Sequence, residues 1–163
     1  SFNRAIAISP NLAAARYNRA LAISDRAWNT LEILNHAEAQ TSFTERDLRE
    51  KREQLRVAIT RGAEDFEAVL ALAPPCGELS YNAGCFYTAA AMVNPEWKDL
   101  PLKHFSRAVL EQNLNPKILA SDARLRRLRS EKAFQALLAM PVPSAPVERV
   151  ARLVDPIPNG ETR

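Results

Sequence analysis

The chain has 163 residues, 47 % of them apolar and 25 % charged, with a net charge of +3 and only 4 glycines. That length holds one ordinary domain with a sizeable core, and no apolar stretch long enough to span a membrane and no alternating Val/Ile/Thr-rich run is present. Cys76 and Cys85, with no histidine near them in sequence, describe neither a disulfide scaffold nor a zinc site, so a reducing, cytoplasmic setting is expected.

In chain order, residues 2–9 read as the end of a helix that Ser9-Pro10 stops. Because the chain opens inside this pattern, it reads as a piece of a longer protein. Phe2 and Ile6 are then expected to be covered by missing upstream repeats or by a second copy in a homodimer. A long helix follows from about Leu12 to Gln40, with Tyr17, Leu21, Trp28, Leu31 and Leu34 along one stripe. Thr44 stands as a cap with Asp47 at the third helical position. The next helix, about Glu45 to Ala73, carries Leu48, Leu55, Ile59, Gly62, Phe66, Val69 and Ala73 on one side. Two such helices with a short turn between them predict an antiparallel hairpin. Its charged tip reads as a solvated projection or a docking knob, with Glu45–Arg49 and Arg49–Glu53 spaced for weak pairing of ~0.3 kcal/mol each.

After Pro74-Pro75, a helix from about Gly77 to Val93 carries Tyr81, Gly84, Cys85 and Tyr87, and Asn94-Pro95 ends it. Its partner begins near Leu100-Pro101 and holds Phe105, Ala108 and Val109. Two short helices, about Ala123–Leu128 and Glu131–Met140, have Asp122 and Ser130 as caps. Residues 1–140 thus form the helical domain. Residues 141–163 form a proline-rich tail with one candidate short helix through Val147, Val150, Leu153 and Val154. The positive excess lies late in the chain, where Lys117, Arg124, Arg126, Arg127, Arg129 and Lys132 face only Asp122 and Glu131.

One phrase occurs twice. Tyr17-Asn18-Arg19-Ala20 returns as Tyr81-Asn82-Ala83-Gly84, each preceded at the same spacing by aromatic, small and proline: Phe2, Ala5, Pro10, then Phe66, Val69, Pro74. On these residues, and on Tyr87 and Phe105, the chain resembles the tetratricopeptide repeat family. From Tyr17 to Tyr81 is nearly twice the ~34 residues of one such repeat. The resemblance therefore implies an all-α, tetratricopeptide-like α-solenoid of antiparallel helix pairs, one repeat being enlarged into the long hairpin. Arg16, Arg19 and Ile23 depart from the family pattern. The segment from Tyr81 to Tyr87, with residues 121–129 and 134–138, is also similar to the repeat ends of large bacterial multidomain proteins, including planctomycete-type serine/threonine kinases.

The resemblance places the first helix of each pair along a concave groove, with Tyr17, Asn18, Leu21, Ser24, Glu78, Tyr81, Asn82, Cys85, Thr88 and Ala89 facing a ligand. Asn18 and Asn82 match an asparagine of a carboxylate-gripping version of that groove. Glu78 stands where a lysine would be needed, which argues against such a clamp. The expected function is protein–protein interaction, with a protein or peptide partner. The alternatives are nucleic-acid or acidic-surface binding through Arg124, Arg126, Arg127, Arg129 and Lys132, or an architectural segment of a larger enzyme. Aromatic residues for base stacking are missing beside those arginines. His36 and His104 are isolated, and no phosphate loop or metal motif occurs, so no catalytic residue, cofactor or metal is expected.

Overall fold

Small and large residues alternate along the two longest helices in steps of four and three, and that rhythm sets how they pair. In a computed structural model, which describes residues 10–37 and 42–144, α1 spans Pro10–Ala37 and α2 spans Glu45–Leu72. Each is about 42 Å long at the rise of an α-helix. The expectations on residues 2–9, on the helix end at Gln40 and on the tail from 145 onward lie outside the described residues. Pro10 opens α1, where a proline at the first helical position gives up an amide that has no intrahelical partner.

The buried seam of α1 runs through Ala13, Tyr17, Ala20, Ser24, Ala27, Leu31 and Leu34. Leu55, Ile59, Gly62, Phe66 and Val69 form the seam of α2. This spacing keeps one face of each helix on its partner at a shallow crossing angle. Contacts descend α2 as they ascend α1: Tyr17 meets Phe66 edge-on at 6.4 Å, and Arg19 reaches Asp65. A side chain at Gly62 would strike Ile23. The pair is thus an antiparallel hairpin. A full capping box opens α2, with Asp47 N–H donating to Thr44 Oγ1 and Thr44 N–H to Asp47 Oδ2, both at 3.1 Å. At the tip Glu53 bonds Arg56 at 2.7 Å, and not Arg49 as the four-residue spacing suggested.

The third helix fills the wide end of the hairpin. α3 spans Gly77–Ala90, shorter than expected because successive turns through Ala91–Asn94 close it before Pro95. Every residue from Ala83 to Ala90 is buried. The hairpin seam is built of Ala20, Ser24, Ala27, Gly62 and Ala63 on this side and of leucines further out, so the two long helices pack with small residues where α3 arrives. An added Cβ at Gly62 would lie 2.7 Å from the Phe86 ring.

A 3₁₀ turn at Pro95–Trp97 leads to α4 (Leu100–Ser106), which continues as a π-helical turn through Arg107–Glu111. Asn113 then takes a left-handed conformation (φ 56°) and reverses the chain. α4 is antiparallel to α3: Tyr87 stacks on His104, Gly84 meets Phe105, and Ser80 Oγ donates to Gln112 Oε1 at 2.7 Å. α5 (Pro116–Ser121), a 3₁₀ helix at Ala123–Leu128 and α6 (Lys132–Leu138) close a second core in which Phe134 lies against Phe105. The short helix expected at Ala123–Leu128 is present, as a 3₁₀ helix capped by Asp122. One sequence expectation needs correction: Ser130 does not cap α6, which starts after Glu131 with no side-chain cap bond. Among the described residues there is no strand, and no helix is long and apolar enough to cross a membrane.

The contact between α3 and α4 has no room for a methyl group: a Cβ on Gly84 would lie 2.5 Å from a Phe105 ring carbon. Gly84→Ala is therefore expected to cost ~1–3 kcal/mol, the usual penalty for overpacking. Urea unfolding would read this as a lower midpoint, and an unchanged midpoint would contradict the packing described.

Candidate functional site

Polar contacts across the helix layers define what the expected groove residues do. Asn82 Nδ2 donates to the Tyr17 hydroxyl at 2.6 Å, joining α3 to α1. One residue earlier, the Tyr81 hydroxyl donates to Asp122 Oδ2 at 2.6 Å, joining α3 to the start of the 3₁₀ helix. The repeated phrase thus carries a repeated contact, in which each tyrosine meets a polar side chain of the next layer. Sequence reasoning missed its third member, although Leu79, Asn82 and Ala83 have counterparts in Leu119, Asp122 and Ala123.

Asp122 is the hub of the second contact. It accepts from the Arg124 amide at 2.9 Å and from Arg124 Nη2 at 2.8 Å, and the Cys85 thiol lies 3.6 Å from its Oδ2. Burial opposes its ionisation, but hydrogen bonds from Arg124 and Tyr81 outweigh that and hold the carboxyl at about 2. The Asp122 hydrogen bond raises Arg124 further above its ordinary value. Burial pushes the Cys85 thiol up to about 12 and raises the Tyr81 phenol. A thiol so disfavoured as thiolate is a packing group and not a nucleophile.

These contacts reassign the groove residues. Tyr17, Ser24, Cys85, Thr88 and Ala89 are buried between helices and do not face a ligand. Burial also pushes the Tyr17 phenol up to about 12, and the Thr88 hydroxyl is spent on the Gly84 carbonyl at 2.8 Å. Leu21, Glu78, Tyr81 and Asn82 are half-buried, and only Asn18 is exposed. Asn82 is committed to Tyr17, which leaves no clamp asparagine on α3. The reason is geometric: α3 has neighbours on nearly every side, so the face expected to line a groove is covered.

The departures at Arg16 and Arg19 also gain a reason. Arg19 grips buried Asp65 through two bonds of 2.6 and 2.7 Å, and Arg16 stands 4.0 Å away. The Arg19 bonds hold the Asp65 carboxyl below its usual range. Asp65 is an acid on the packed side of α2, and only its pairing with arginines far along α1 from the hairpin tip could have flagged it.

Open surface lies further along α1. A cleft of about 710 Å³ is lined by Trp28, Leu31 and Asn35 of α1, by Met92 after α3, and by Arg124, Arg126 and Arg127 of the 3₁₀ helix. Glu32 and His36 sit on its rim, 4.0 Å apart. Among the described residues, no Ser, Thr, Cys, Lys or Tyr side chain lines it. Of the expected basic patch, Arg126, Arg127, Arg129 and Lys132 are exposed, whereas Arg124 is half-buried and held by Asp122. Arg129 is turned away to cap the Ala120 carbonyl at 2.9 Å. The cleft thus collects Arg126 and Arg127 beside Trp28 and Met92, a juxtaposition that no local sequence pattern announces. Among the described residues, no group of three or more His, Cys, Asp or Glu side chains could hold a metal ion.

Comparison of the chain with protein-family models, with curated proteins and with solved structures finds no match.

His104 and Asp122, together with the Asp65 carboxylate held by Arg19, shape the acid response. His104 is 3 % exposed, stacked on Tyr87 at 5.1 Å, and neither ring nitrogen has a partner among the described residues. Burial lowers it from 6.5 to about 4. Between those values the unfolded chain binds the proton more readily, so the His104 contribution is complete above about pH 6.5 and is lost as pH falls toward 4. Asp122 adds a second loss from about pH 3.8 down to about 2. Urea midpoints measured against pH should show the first step in the parent chain and lose it in His104→Phe; a step of equal size in both would contradict it. Asp122→Ala leaves Arg124 and Tyr81 without their acceptor and should cost about 2 kcal/mol at neutral pH.

Proposed function

We propose that this chain is a non-catalytic protein-interaction domain of tetratricopeptide type, in which one repeat is enlarged into the α1–α2 hairpin. A partner polypeptide segment occupies the cleft between α1, Met92 and the 3₁₀ helix. The observation that carries this reading is the make-up of the cleft: an apolar floor of Trp28, Leu31 and Met92 beneath charged and amide side chains. Concave surfaces of this kind orient a ligand through a few polar groups while apolar contact supplies affinity.

The repeat assignment draws support from the antiparallel pairs α1–α2 and α3–α4, and from the tyrosine contacts that recur between layers. The expected groove moves outward in this proposal. Its original face is filled by the packing of α3, and the lengthened hairpin supplies a new wall.

A photo-crosslinking residue placed at Asn35 or Arg127, with Arg61 on the outer side of α2 as control, tests the reading in extracts of the native host. The expected outcome is adducts to the same partner from both cleft positions and none from Arg61. Adducts from Arg61 alone, or from neither cleft position, would contradict it.

A further inference from the structure

The cleft does not end at α1. A second hollow of about 440 Å³ lies between α1 and the outer half of α2, and it shares Leu31, Asn35 and Met92 with the first. The two are halves of one trough. It runs over a saddle made by Leu31 and Met92, at the corner where the hairpin extends past the end of α3.

Both walls carry the same charge. Arg49, Arg52 and Arg56 line the side made by α2. Arg124, Arg126 and Arg127 line the other. Glu32 and Glu53 are the acids among the lining residues, and Glu53 is already bonded to Arg56 at 2.7 Å. Arg49, Arg126 and Arg127 are exposed and hold no ion pair among the described residues. The walls come from distant parts of the chain, so their matched charge is a product of the fold and not of one local run. Between them the floor is apolar, with Leu34, Leu55 and Val93 continuing from the saddle.

We propose that this trough takes an acidic, amphipathic segment of a partner protein, its apolar side chains on the Leu31–Met92 saddle and its carboxylates against arginines on both walls. This rests on the reading of the cleft as a binding surface and adds the chemistry of the occupant. Guanidinium groups match carboxylates in planar, two-bond geometry. A hollow lined by one sign of charge over low-dielectric walls concentrates potential for the opposite sign. A helical segment with an apolar stripe and acidic flanks has the matching profile for such a groove. A nucleic acid fits less well, because its unbroken phosphate charge would pass over Glu32 and Glu53.

Displayed random peptides selected on the full chain provide the test, with Arg126→Glu/Arg127→Glu and Arg49→Glu as variants of the two walls, both at exposed positions and both checked for folding by circular dichroism. The expected result is enrichment of acidic peptides with helically spaced apolar residues. These should bind at least ~tenfold more weakly to either variant, and more weakly again when the same composition is scrambled. Acidic peptides indifferent to both variants, or to scrambling, would overturn the proposal. Enrichment of neutral or basic peptides that protect the cleft would overturn the acidic occupant while leaving the cleft as a binding surface. Failure to enrich any peptide would count against both. A single-stranded oligonucleotide that binds the trough as tightly as the selected peptides would replace the peptide reading with nucleic-acid binding.

Discussion

The constraint on which the structure depends is that α3 must be buried on nearly all sides. α1 and α2 cover one flank, α4 the opposite one, and the 3₁₀ helix a third. A helix in that position can carry bulk only where a neighbour lacks it. Ala83, Gly84, Ala89 and Ala90 are therefore small and buried, Gly84 against the Phe105 ring, and Phe86 projects into the space that Gly62 leaves open. Close packing of this kind leaves little room for relaxation, so a single added carbon at the contact points is felt.

The tyrosine hydroxyls that reach this interior are paired, as their desolvation requires, whereas the His104 ring nitrogens are not. Tyr17 with Asn82, Tyr81 with Asp122 and Tyr87 with Glu67 place three tyrosine hydroxyls at three different boundaries of α3. Each ring fills volume while its tip fixes the register of the next layer. The Asp122 contact has a consequence for the surface as well. By locking the start of the 3₁₀ helix onto α3, it aims Arg126 and Arg127 across the cleft toward α1. The interior and the cleft are in this way one construction, since the 3₁₀ helix that carries Arg126 and Arg127 is held in place by the Asp122 carboxylate.

Much of the architecture was legible in the chain. The three-and-four spacing on α1 and α2 and the Thr44–Asp47 signal define the hairpin, because periodicity and capping are local properties. What escaped was everything set by distant partners. Asp65 pairs with Arg19 across the hairpin, and Asp122 stands in for the asparagine of the repeated phrase where Ser121 replaces its tyrosine. The groove expectation failed at Tyr17, Ser24, Cys85 and Thr88, since helical periodicity says which residues share a face but not how many neighbours cover it. The trough combines α1, α2, Met92 and the 3₁₀ helix, so no single stretch of sequence displays it.

The central claim, that α3 is the element on which every layer rests, is tested most directly by native-state hydrogen exchange. Amides that open only with global unfolding report the full stability of the fold, while peripheral segments open at lower free energy. The account predicts that the amides of Ala83 to Ala90 exchange slowest of all and track the unfolding free energy as denaturant is added. The outer hairpin and the Ala123–Leu128 helix should open earlier. Exchange of the α3 amides through a local opening, below the free energy of the α1–α2 hairpin, would contradict it.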